Sequence, residues 1–210
     1  ELQKAYLENV NYDRCYSRVK NELKLTLGLN SDECFRQFIN QKIYKLISEK
    51  DIEIPKINIE NLIEKYQPKN SWLVYLGIIL LEEDTIETHL DKLELTKKEK
   101  NIVLNAKKLL AVETIQTDFE IYKAFEELDI ETLLIFAFLQ GEKKVFRYLD
   151  YLKKIKLSVS GKDILEMGIE PSKKFAEAFD YVLKIKLKNP HMGKQEEKKL
   201  LVDYINSIDL

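Results

Sequence analysis

The stretch SWLVYLGIILL, Ser71–Leu81, constrains the fold of this chain more than any other. It is apolar nearly all round, so a helix made from it has no face to give to water and belongs at the centre of a bundle. The apolar run is too short to cross a bilayer, which takes roughly 20 residues. The text around it is helical as well, and the alternation and tight-turn signals of strands are nearly absent. Helices are expected from Tyr12 to Leu27, closed by Gly28, and from a Ser31 cap to about Lys50, with Pro55 interrupting. A short helix follows over Ile59–Tyr66, stopped by Pro68, and then Ser71 caps the apolar helix. Beyond it come Thr85–Leu93 and two segments opened by hydroxyl-carboxylate pairs three apart, Thr96–Glu99 and Thr117–Glu120. Asp129 is expected to cap a helix ended by Gly141, and another runs from Glu142 to about Ile155. The last two cover about Ser172–Lys188 and Gly193–Ser207. The fold expected is all-α, about ten helices in a compact elongated array with short connections. A soft boundary near residue 158 separates a body, residues 1–157, from a tail, residues 158–210.

Charge and cysteines narrow the function classes. The net charge of -2 announces no nucleic-acid partner by its overall field. The distribution says more: Leu152 to Lys199 carries 12 lysines against 7 acids, and the acidic excess lies elsewhere. Cys15 and Cys34 lack the CxxC spacing of a metal or redox site and read as small side chains in a reducing, cytoplasmic setting. No membrane partner and no signal peptide are expected. Residue 1 is Glu, in text that reads as mid-helix, which suggests a piece of a longer protein.

Catalytic chemistry needs convergent groups, and the sequence offers few. His89 and His191 have no ligand-type neighbour at i+3 or i+4. No Gly-rich phosphate loop and no nucleophile elbow is present. Glu82-Glu83-Asp84 and Asp129-x-Glu131 are acidic groupings, and the second would suit Mg²⁺ only on a strand; Asp129 is better read as a helix cap. No active site is read here, and the chain alone is expected to be inactive.

VSGKDILEMGIEPSKKFAEAF, residues 159–179, breaks the helical text with two glycines and a proline. Gly168 suits a helix C′ position, and Pro171 suits the first turn of the next helix. The unpaired N–H groups near Ser172, Lys173 and Lys174 would make a phosphate seat, with Lys162 adding charge. On the following helix Phe175, Phe179 and Val182 form the buried stripe. Lys173, Lys184 and Lys188 lie opposite, mixed with Glu177 and Asp180, so an ordinary solvated face also explains them.

Two segments resemble the class II tRNA nucleotidyltransferases, the CCA-adding and A-adding enzymes related to bacterial poly(A) polymerases. Arg18, Val19, Glu22 and Leu23 fit the opening helix of that family's body. Gly161, Lys162, Asp163, Ile164, Gly168, Ile169 and Pro171 fit, in order, a segment of its tail; Ser172, Lys173 and Ala176 stand where the family has Gly, Pro and Gly. The resemblance covers roughly residues 15–207. It implies a tRNA-binding body and tail that position the acceptor arm and elbow for 3′-end addition by an N-terminal head. Mg²⁺ and nucleotide would be bound in that head, so no cofactor is expected in this chain. The RNA-binding residues it points to are Gly161, Lys162, Gly168, Ser172, Lys173, Lys174, Lys184 and Lys188. The alternatives are a helical protein-interaction module without RNA binding, and a complete small enzyme of unknown chemistry.

Overall fold

The computed structural model describes residues 16–53, 57–112, 115–166 and 174–208. Among them are twelve α-helices and no strand, an all-α fold. They fall into two compact units. The first takes Glu1–Glu113 and Leu128–Val145, the second Thr114–Glu127 and Phe146–Leu210. The turn-rich step at residue 158 lies within the second unit.

In the first unit α1 spans Tyr16–Leu27, α2 Asp32–Asn40, α3 Ile59–Tyr66, α4 Ser71–Leu80, α5 Ile86–Lys92, α6 Lys97–Leu110 and α8 Ile130–Phe136. Helix α4 is central, as its composition demands: it packs on α1, α6 and α8, and Leu73, Val74, Leu76 and Leu80 are fully buried. Gly77 brings α4 close to α8, because a Cβ there would sit 2.4 Å from Ile135 Cδ1.

Carboxylates from distant helices hold the starts of several segments. Asp32 on α2 accepts the N–H groups of Ile59 and Glu60 at 3.2 and 3.0 Å, and Glu60 Oε2 accepts the N–H of Asp32 in return. Buried Glu131 accepts the Asn70 N–H at 2.7 Å. The N-cap of α4 is therefore Asn70, not Ser71, and a carboxylate from α8 tethers it. Buried Glu83 accepts the Ser48 hydroxyl at 2.6 Å and the N–H groups of Glu49 and Lys50 at 2.7 and 3.0 Å. Two members of the acidic run, Glu83 and Asp84, are thus structural ties, Asp84 to Lys50 at 2.7 Å.

Both capping boxes form as the spacing predicts, at Thr96–Glu99 and Thr117–Glu120. Burial alone would raise the Glu99 pKa, but the Thr96 N–H, Lys20 and Lys24 outweigh it and hold it down at about 2. Other boundaries differ from expectation. Helix α2 stops at Asn40, because Lys42 turns left-handed at φ 55° and a 3₁₀ turn, Ile43–Leu46, follows to bury Tyr44. Asp129 occupies the N-cap of α8, yet its side chain makes no cap hydrogen bond and lies 3.9 Å from Lys98. Gly141 does not end a helix: a π-turn, Ala137–Gly141, carries the chain on into α9, Glu142–Asp150. A Cβ at Gly141 would lie 2.2 Å from the Phe136 ring, and that close approach is the reason for glycine there.

The second unit holds α7, Asp118–Phe125, with α10, Gly161–Glu166, α11, Lys174–Lys188, and α12, Lys194–Ile208, and the later part of α9. Helices α11 and α12 run antiparallel, since Tyr181 meets Tyr204 while Lys186 meets Glu197. Val182, Leu201 and Ile164 lie at their shared core, with Phe175 and Phe179 packed at its edge. Phe125 on α7 is fully buried, edge-on to Tyr148 at 5.6 Å. No helix among the described residues is long and apolar enough to cross a membrane.

Candidate nucleic-acid interface

The turn that opens α10 is built by Ser160 and Asp163. Asp163 Oδ2 accepts the Ser160 N–H at 2.9 Å and its hydroxyl at 2.8 Å, and the Asp163 N–H donates to the Ser160 carbonyl at 3.0 Å. Its other oxygen meets Lys194 and Lys198 of α12 at 2.7 and 2.9 Å. These lysines, then the serine contacts, hold the Asp163 carboxyl well below the usual carboxylate range. The Gly161–Asp163 stretch is therefore a corner strapped to α12, and Lys194 and Lys198 are engaged by it. Gly161 has open space where a Cβ would stand, so packing does not demand glycine there.

A second tie lies deeper. Glu197, fully buried, forms an ion pair with Lys186, itself 8% exposed at the side chain. Glu197 Oε2 also accepts the N–H groups of Ser158 and Val159 at 2.7 and 2.9 Å, and Lys186 donates to the Met192 carbonyl at 3.1 Å. Glu197 is thus the anchor of the segment entering α10.

Lys162, Lys184 and Lys188 are exposed and form no ion pair among the described residues. They do not make one cluster. Lys162 belongs to the corner of α10 with α12. Lys184 and Lys188, four apart, share the outer face of α11, about 6 Å apart along its axis and turned away from Lys186. Glu120 on α7, held low by the Thr117 and Gln116 amides, also feels Lys184. Asp180 pairs with Lys123 at 3.3 Å rather than with Lys184. Lys174 is the first residue of α11. Gly168, Ser172 and Lys173 lie outside the described residues, and so does the phosphate seat expected there.

Phe35, Phe38, Tyr44, Phe125, Phe136 and Tyr148 are buried. Tyr151 is 40% exposed, with the Arg147 guanidinium over its ring at 4.4 Å and Arg147 held in turn by Asp118. The residue that sequence reasoning passed over is Tyr181. It stacks on Tyr204 with ring centroids 4.5 Å apart and planes 21° apart, and 39% of it stays exposed. Its spacing to Lys184 and Lys188, three and seven residues, was the available signal.

Among the described residues no group of three or more His, Cys, Asp and Glu is placed to hold a metal ion. His89 is half-buried, its Nδ1 3.0 Å from the Thr85 carbonyl. No family model, curated protein or solved structure matches this chain.

Proposed function

We propose that this chain is a tRNA-binding helical part of a class II tRNA nucleotidyltransferase. It holds the acceptor arm and elbow by sequence-independent phosphate contacts while a head domain, with its Mg²⁺ and nucleotide, adds to the 3′ end. The observation that carries this reading is the outer face of α11, where Lys184 and Lys188 stand exposed and form no ion pair among the described residues. Exposed Lys162, on α10, adds a third cation within the segment whose residue order resembles that family's tail. Cations of this kind position RNA without reading its sequence. Asp163 serves the reading as scaffold: it fixes α10 on α12 and so sets where Lys162 is presented.

Charge reversal of both Lys184 and Lys188 to Glu is expected to weaken tRNA binding by roughly tenfold or more and to lower the salt slope by about two, one per lost phosphate contact. The same reversal at exposed Lys97 and Lys98 on α6 is the control and is expected to change little. Equal losses in the two variants, measured by filter binding, would overturn the assignment of the interface. A protein-interaction reading has one observation in its favour, Leu25 and Leu29, 68% and 65% exposed and four residues apart. Two side chains are far less than a docking patch of a few hundred Å².

A further inference from the structure

The outer face of α11 carries a ring as well as charge. Glu177, Tyr181, Lys184 and Lys188 are its exposed members, and their spacing of four, three and four residues puts them in one stripe. Tyr204 covers one face of the Tyr181 ring at 4.5 Å, while 39% of Tyr181 remains exposed. Lys184 and Lys188 lie about 4.5 and 10.5 Å further along the axis. Asp180, the nearest acid in sequence, is engaged by Lys123. Two tyrosines in register across α11 and α12 are braced against each other, so the outer ring is held in one orientation without a ligand.

We propose that Tyr181, braced by Tyr204, is a stacking platform for one unpaired RNA base, with the adjoining phosphates on Lys184 and Lys188. The proposal rests on the RNA-binding reading and adds to it a preference for a looped, unstacked nucleotide over uniform duplex. Bare lysines would hold any phosphate backbone alike, whereas an exposed ring gains only from a base that can leave its stack. Glu177 closes the far end of the stripe, so the strand runs from Tyr181 toward the 189–193 connection.

The test uses the full chain and two RNAs: a stem with an unpaired loop, and the same stem closed by a non-nucleotide linker. The wild-type protein is expected to bind the looped RNA roughly 5- to 150-fold more tightly, the range of one base–aromatic stack. Tyr181→Phe keeps the ring and is expected to retain that preference. Tyr181→Leu keeps apolar packing and is expected to erase it, leaving the linker-closed stem bound as before. Quenching of 2-aminopurine in the loop is expected with wild type and lost in Tyr181→Leu. Should the leucine variant fail to fold, the comparison of the two RNAs with wild type decides alone. Salt-sensitive binding of both RNAs without a loop preference, or a preference that survives Tyr181→Leu, would overturn the platform and leave the phosphate-binding function standing. Absence of binding to either RNA at low salt would overturn both.

Discussion

Glu197→Ala is expected to cost about 3–5 kcal/mol of unfolding free energy, the usual loss when one member of a buried ion pair is removed. The reason lies in what Glu197 holds. Its side chain is fully buried, and it satisfies Lys186 together with the amides of Ser158 and Val159. Alanine would leave a buried ammonium with only the Met192 carbonyl and the Ser158 hydroxyl, and two backbone donors without acceptors. Urea unfolding followed by circular dichroism measures the total. Hydrogen exchange at Ser158 and Val159 localises it, since both amides should lose protection. Glu177→Ala, on the exposed face of α11, is expected to stay within about 0.5 kcal/mol of wild type. A loss at Glu197 as small as that at Glu177 would mean that the buried pair does not hold the second unit together.

Glu83→Ala is expected to cost about 2–4 kcal/mol, because the Ser48 hydroxyl and the amides of Glu49 and Lys50 all lose their acceptor. This loss carries a pH signature. Burial would raise the Glu83 pKa, but the Ser48 hydroxyl and the Lys50 and Glu49 amides overcome it and set the folded value below the ordinary 4.5. A depressed carboxylate stabilises the fold above its unfolded pKa, and that contribution fades as pH falls through the folded value. The gap between wild type and Glu83→Ala should therefore be full near neutral pH and shrink below about 4.5. A gap that widens in acid would contradict this account of the 48–50 segment.

These two carboxylates show where the sequence was legible and where it was not. The apolar surround of Trp72–Leu81 placed α4 at the centre, and the hydroxyl-carboxylate spacing placed both capping boxes, because these signals lie within a few residues of the structure they specify. The roles of Glu83, Glu131 and Glu197 depend on partners 35, 61 and 39 residues away, and a charged residue in a helical pattern reads as surface until its partner is known. Gly141 was misread for a related reason. A glycine after an apolar run is a stop signal by itself, and only the Phe136 ring beside it explains a glycine in a π-turn. Lys184 and Lys188 are exposed as their helical spacing suggests, and Lys162 is exposed as well. Lys194 and Lys198 look equally free in the sequence but are drawn onto Asp163.

If this chain grips RNA through its phosphates as proposed, a salt titration of tRNA binding by the unmodified protein will show it. Three or more lysine–phosphate contacts should give a log–log slope steeper than about -2, so affinity should fall at least tenfold between roughly 50 and 200 mM salt. A flat response across that range, or no binding at the lowest salt, would contradict it.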